Sequence, residues 1–187
     1  MAGTLLAAGE GSRLGRPKAL VELGGQTLAE RGVTLLRDGG ADPVLVVTGA
    51  APVRVHGART VHNPDWRTGM GTSLAAGLRA LDEVGDGAGA AVIALADQPL
   101  VGPEAVRRLI TAYHGQPRNP VLIAREHWQA VLALATGDTG ARPFLRAHPE
   151  LVTLVECGDT GSPDDVDTPA DLARVRGVSA VRPEEGS

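Results

Sequence analysis

Lysine is almost absent from this chain: of its 18 basic residues only Lys18 is a lysine, and the rest are arginine. Cysteine is as scarce. The single Cys157 excludes an intrachain disulfide and a cysteine-built metal cluster, and it reads as a buried, inert thiol. The aromatics (Trp66, Tyr113, Trp128 and Phe144) are too few to stack successive bases, and a net charge of −4 argues against a nucleic-acid surface. No apolar run approaches the ~20 residues of a membrane span. The N-terminal apolar run lacks a charged n-region and reaches Gly9 too soon for a signal peptide. These absences lead us to expect no nucleic-acid partner, no membrane and a cytoplasmic location. A length of 187 residues suits one domain with a full core; we expect it over residues 1–178, with a polar, flexible tail over 179–187.

What is present alternates. Apolar, β-rich runs at 2–8, 43–48, 90–96, 121–124 and 152–156, with a shorter one at 59–62, predict strands. Between them, helical spacing appears at 27–38 (Leu28, Gly32, Leu35, Leu36) and 72–81 (Leu74, Leu78, Leu81). It recurs at 103–114 (Val106, Leu109, Ile110, Tyr113), 126–136 (Trp128, Val131, Leu132, Ala135) and 169–176. Buried strands alternating with amphipathic helices imply an α/β fold, a mostly parallel sheet covered on both faces. Ligands of such sheets bind at the carboxyl ends of the strands.

The chemistry-bearing residues do follow the strands. Residues 5–18 (Leu-Leu-Ala-Ala-Gly-Glu-Gly-Ser-Arg-Leu-Gly-Arg-Pro-Lys) run from an apolar strand into a glycine-rich turn carrying Arg13 and Lys18. Backbone N–H groups beside two cations make a cradle for an oligophosphate. It is neither of two familiar phosphate loops. The third glycine of a dinucleotide fingerprint is replaced by Leu14, and Pro17 and Ala19 flank Lys18 where a Walker loop needs Gly and Ser or Thr. Asp97, in Leu-Ala-Asp-Gln-Pro, ends a strand and reads either as a turn cap or as a ligand of a hard cation. In Asp164-Asp165-Val166-Asp167-Thr168-Pro169, three acids crowd the start of a helix. Asp167 or Thr168 can cap that helix, and Asp167 can also complete a two-carboxylate Mg²⁺ site with Asp97. Gly69-Met70-Gly71-Thr72-Ser73 opens a helix with hydroxyls in its first turn, either as an N-cap or to read a base or ribose. Gly137 to Arg142 reads as a junction between helices, with Arg142 on the surface or toward a second anion. Among the five histidines, His127 reads as packed and the other four lack clustered partners, so no histidine-based triad or zinc site is expected.

Together these motifs resemble the MobA-like nucleotidyltransferases, in particular their molybdenum cofactor cytidylyltransferase branch. The carriers are Leu6 to Lys18, Gly69 to Ser73, Leu95 to Pro99, Gly137 to Arg142 and Asp165 to Leu172, in the family's order across residues 2–176. The resemblance implies a three-layer α/β/α, Rossmann-like and GT-A-like domain with a mixed, mainly parallel sheet. It implies Mg²⁺-dependent transfer of CMP from CTP to a phosphorylated acceptor, molybdopterin bearing molybdenum, with release of pyrophosphate and a molybdoenzyme as recipient. Carried over by motif, Arg13, Lys18 and Asp97 are catalytic, and Asp97 and Asp167 hold the metal; Asp165 is the alternative second ligand, with Asp167 at the matching family position. Leu6, Ala7, Ala8, Gly9, Gly11, Ser12, Arg13, Lys18, Gly69 and Ser73 contact the nucleotide. Asn119, Asp138 and Arg142 face the acceptor, with Asn119 where related sequences have histidine. The Ala7-Ala8-Gly9 form is similar to the cytidylyl branch. The alternatives are guanylyl transfer, another phosphorylated acceptor, an NAD(P)-dependent enzyme similar to nicotine-blue oxidoreductases, or a nucleotide sensor or chaperone without catalysis.

Overall fold

Alternate residues of the central strands enter two different cores, and that division builds the layers. The computed structural model describes residues 1–84, 87–115 and 122–181; Asn119, Val121 and residues 182–187 of the expected tail lie outside the described residues, as does the side chain of Tyr113. In chain order, β1 (Ala2–Ala7) leads through the glycine loop to a small hairpin, β2 (Glu22–Leu23) and β3 (Gln26–Thr27). Next come α1 (Leu28–Asp38), β4 (Val44–Thr48), β5 (Arg59–His62), α2 (Met70–Val84), β6 (Ala90–Leu95) and α3 (Pro103–Gly115). The chain continues through β7 (Leu122–Ala124), α4 (Trp128–Leu134), α5 (Arg142–Ala147) and α6 (Pro169–Val181). The main sheet has the order β5-β4-β1-β6-β7, parallel except for β7, which pairs antiparallel with β6. The expected mixed, mainly parallel sheet is therefore present.

Leu5, Val44, Val46 and Val92 turn to the face covered by α1 and α3, where Val33, Leu36, Val106 and Leu109 meet them. Leu6, Leu45, Val47 and Ile93 turn to the opposite face, against Leu74 and Leu78 of α2, Trp128 and Val131 of α4, and Phe144 of α5. This period-two division follows from the pleat of a strand. Gly32 of α1 allows the helix to sit close on β1, since a Cβ there would lie 2.4 Å from Leu5 Cδ1. A third cluster ties α6 to the small hairpin through Val21, Leu23, Leu28, Val166, Leu172 and Val175. It fixes the acidic loop before α6 against the segment that follows Lys18.

Several elements differ from expectation. Residues 152–156 form no strand: Leu154 is 79% exposed, and the nearby bridge is Val101 with Gly161. The β-branched run carries strand propensity, but the chain is fastened instead by Gly102 N–H to Thr160 O and Ser162 N–H to Leu100 O. The helix expected at 126–136 is a 3₁₀ turn, Arg125–His127, followed by the shorter α4. The helix expected to end at 176 continues to Val181, past the start of the expected tail. Cys157 is half-buried rather than buried, with burial pushing its thiol above the ordinary range. Among the described residues, no helix is long and apolar enough to cross a membrane.

Candidate active site

The loop after β1 returns on itself so that Lys18 lies beside the strand end. A 3₁₀ turn, Ser12–Leu14, is bracketed by left-handed Gly11 (φ 62) and Gly15 (φ 70). Lys18 N–H then donates to Gly9 O at 3.3 Å. A side chain at Gly11 would be both strained and blocked, its Cβ 2.1 Å from Arg16 O, so only glycine closes this loop. The fold thus delivers the one lysine of the chain to the carboxyl edge of the sheet.

Two carboxylates receive it. Lys18 Nζ donates to Asp97 Oδ2 at 2.6 Å and also to Asp167 Oδ1. Asp97 follows β6, and Asp167 lies in the loop before α6. Backbone holds them together: Val166 N–H donates to Asp97 O at 2.8 Å while the Val166 side chain is fully buried in the third cluster. The Asp-Val-Asp alternation therefore drives valine inward and leaves an acid on each side. Asp165 accepts instead from Gln98 Nε2 at 3.0 Å. Of the two candidate partners for Asp97, it is Asp167 that shares Lys18. Nor is Asp167 the helix cap. The Thr168 hydroxyl accepts from Asp171 N–H, while Asp171 Oδ2 accepts from the N–H groups of Asp167 and Thr168. Arg13 stands at the rim, its Nη1 3.6 Å from Asp167 Oδ2 and its side chain 72% exposed; such a contact is weak in water.

Burial pulls the Lys18 ammonium toward a lower pKa, but the hydrogen bonds and charges of Asp167 and Asp97 outweigh it and hold the group above its ordinary value. Lys18 therefore stays charged throughout the neutral range.

Lys18 and Asp97 open into a cleft of about 510 Å³, whereas Asp167 and Arg13 stand outside its lining. Of the residues named from the sequence, Leu6, Ala7, Ala8, Gly9, Lys18, Gly69, Ser73, Asp97 and Asp138 line it, together with Glu10, Trp66, Arg67, Met70, Leu95 and Ala96. Gly11 and Ser12 shape the loop rather than line the cleft, and Arg142, the first residue of α5, does not line it either. The opposite wall is the start of α2. Gly69 (φ 123) brings it so close to the α4–α5 junction that a Cβ would sit 2.4 Å from Gly137 C. Asp138 Oδ1 accepts from Met70 N–H at 3.3 Å and so caps α2 across the junction. Ser73 is buried, and its Oγ accepts from Asn63 Nδ2 at 3.0 Å. Thr72, expected as a possible cap, lies inside the helix and donates back to Gly69 O.

Trp66, the last residue of the Asn63-Pro64-Asp65-Trp66 motif before α2, has no site role in the sequence reading, and Arg67 escaped it. The Arg67 guanidinium carbon lies 4.3 Å over the Trp66 ring, and Trp66 is seated on Gly49, where a Cβ would lie 2.5 Å from Trp66 Cβ. The available signal was Asn-Pro-Asp-Trp directly after a strand at the ligand edge of the sheet.

Two carboxylate oxygens that converge on one ammonium can also converge on one metal ion. Among the described residues no group of three or more His, Cys, Asp or Glu side chains gathers to hold a metal. The donor set therefore suits a hard cation that takes one or two carboxylates and finds its remaining ligands on a phosphate substrate.

A mainly parallel sheet with a glycine-closed loop, a lysine and paired acids at its carboxyl edge defines a nucleotidyltransferase. Residues 3–152 match the MobA-like NTP transferase domain, and the chain belongs to that family. It is 36% identical to nicotine blue oxidoreductase of Paenarthrobacter nicotinovorans, over 92% of this chain and 95% of that protein. It is 31% identical to molybdenum cofactor guanylyltransferase of Rhodobacter capsulatus, over 93% of this chain and 94% of that protein. Among solved structures, it is similar to the manganese complex of Rv0371C from Mycobacterium tuberculosis H37Rv, with a TM-score of 0.71 and 26% identity, covering 94% of this chain and 97% of that one.

Proposed function

We propose that the protein is a Mg²⁺-dependent cytidylyltransferase that moves CMP from CTP to a phosphorylated acceptor of the molybdopterin type, releasing pyrophosphate. One observation carries this reading: Asp97 and Asp167 converge on Lys18, and Lys18 and Asp97 line a cleft together with Leu6 to Gly9. The acceptor phosphate oxygen forms a bond to the α-phosphorus, the bond from that phosphorus to the bridging oxygen breaks, and pyrophosphate leaves with the electron pair. An acceptor phosphate is already ionised, so no general base is required. What the protein must supply is position and neutralisation of charge. Lys18 and Arg13 provide cations toward the triphosphate. Gly9 leaves room for it, since a Cβ there would meet only Lys18 Cδ at 3.9 Å. Asp97 and Asp167 would hold magnesium, which when bound offsets phosphate charge. Ala7 and Ala8 line the cleft with small side chains, and their similarity to the cytidylyl branch supports cytosine as the base. Asp138, already inside the cleft, is assigned to the acceptor side; Arg142 would serve only an acceptor extending beyond the lining residues. In this reading a single domain over residues 1–178 acts in the cytoplasm and passes its product to a molybdoenzyme.

A second reading has one observation in its favour: a relative 36% identical across nearly its whole length is named nicotine blue oxidoreductase. In that case the same cleft would take NAD(P)H.

Thermal shift with CTP, GTP and NADPH, each with Mg²⁺, separates these readings, because a ligand raises the melting temperature according to its affinity for the folded state. The expected order places CTP first. A GTP preference would move the donor to the guanylyl class, and a preferential NADPH shift would favour the oxidoreductase.

A further inference from the structure

We propose that Lys18 is the resident cation of the acid pair: its ammonium holds the place between Asp97 and Asp167 in the nucleotide-free protein, and a divalent ion gains that place only as a triphosphate draws Lys18 away. This deepens the proposed function and rests on it.

The acid pair is held by bonds that do not involve Lys18. Val166 N–H on Asp97 O fixes the two segments, and the Asp171 carboxylate anchors the N–H groups of Asp167 and Thr168. Two carboxylates pinned so close would repel each other without a counter-ion. Lys18 provides it, with a hydrogen bond to each. Its side chain is 21% exposed, so water screens these contacts far less than it screens Arg13 at the rim. An ammonium has three donors. With two spent on Asp97 and Asp167, the group cannot also cradle several phosphate oxygens from the same position. Service to a triphosphate therefore requires Lys18 to release at least one acid.

The second half concerns the metal. Among the described residues the acid pair has no third His, Cys, Asp or Glu to complete a cage. A hard divalent cation approaching the free protein would meet an incomplete ligand set, half neutralised and already occupied by an ammonium. A nucleoside triphosphate changes both conditions: it offers Lys18 a better anion, and it brings the missing oxygens. Metal and nucleotide then enter as a unit, and the free protein binds metal weakly.

The test is Mn²⁺ binding to nucleotide-free protein, read from the electron paramagnetic resonance signal of free Mn²⁺. Replacing Lys18 by Met keeps most of the side-chain length and removes its charge; Lys18→Gln removes the charge but keeps an N–H donor and serves as a second variant should the first fold poorly. Both should bind Mn²⁺ at least ~10-fold more tightly than wild type, given the energy of a unit charge at contact distance in a partly screened site. Adding Asp167→Asn to Lys18→Met should abolish that gain. Affinity equal to or below wild type in both single variants, with the fold intact by circular dichroism, would overturn the proposal. Mn²⁺ titration of the wild type with CTP, GTP and ATP separates the two levels. If a nucleotide tightens Mn²⁺ binding while the Lys18 variants gain nothing, the resident-cation role fails and the transferase reading stands. If no nucleotide binds, the transferase reading itself fails, whatever the Lys18 variants show.

Discussion

Leu95 at the end of β6 lines two cavities that differ in their charged groups. On one side lies the cleft of about 510 Å³, where Lys18 and Asp97 meet beside the backbone of Ala7 to Gly9. On the other lies a cavity of about 300 Å³ between β6, α3 and the 155–163 segment, walled by Val92, Ile93, Val106, Leu109 and Val155. Cys157 borders the apolar cavity, its thiol held up mainly by burial and so not activated as a nucleophile. Apolar enclosure stabilises the fold, whereas in the proposed function the charges brought together from distant segments handle a charged substrate. The difference arises within a few residues, because β6 is apolar until its last position and Asp97 lies just past the end of the ladder.

That contrast predicts separable effects, with catalysis lost on one side and stability on the other. The largest effect belongs to Asp97→Asn, which should lower metal-dependent nucleotidyl transfer by at least ~1,000-fold, as expected for a group that organises transition-state charge, with the melting temperature little changed. Steady-state kinetics beside a melting curve check both halves; wild-type turnover would remove Asp97 from the chemistry. Lys18→Ala comes next, with turnover lower by at least ~100-fold, the scale of one charge donor. Near-normal turnover would leave Lys18 a structural counter-ion only.

On the apolar side, Leu109→Ala should cost about 2 kcal/mol of stability, at the low end for such truncations because the site is already beside a cavity. Nucleotide affinity per folded molecule should stay at the wild-type value. A variant equally stable but impaired in nucleotide binding would mean that the two cavities are coupled across β6.

The smallest effect concerns the cap that holds Asp167 in place. Hydrogen bonds from the Thr168 side chain and backbone hold the Asp171 carboxyl below its ordinary value. A depressed carboxyl contributes stability that is full above its unfolded pKa and is lost as pH falls through the folded one. Wild type should therefore lose melting temperature on acidification more steeply than Asp171→Asn, and parallel curves would rule the cap out as the source.

The sequence made the centre of this molecule readable because burial writes itself locally. Continuous apolar runs at β1, β4 and β6, short and bounded by turn residues, read as strands covered on both faces, and Gly9 to Lys18 carries its turn residues in order. Asp97 was visible as the one acid closing such a run. What escaped depends on partners far along the chain. The Val-Thr-Leu-Val run at 152–155 has strand propensity, yet propensity does not supply a neighbouring ladder, and Leu154 lies in solvent. Trp66 enters the cleft because Gly49, after a different strand, leaves room for it. The cap that Asp138 places on α2 was hidden because Met70 is remote in sequence. The choice between Asp165 and Asp167 needed Gln98, which takes the first and leaves the second to Lys18.

The most direct test of the account is to locate Mn²⁺ by anomalous scattering in crystals grown with CTP. The account predicts one peak contacting the carboxylates of both Asp97 and Asp167, with the Lys18 ammonium moved onto the triphosphate. A peak away from both carboxylates, or Lys18 still bridging them beside a bound nucleotide, would contradict it.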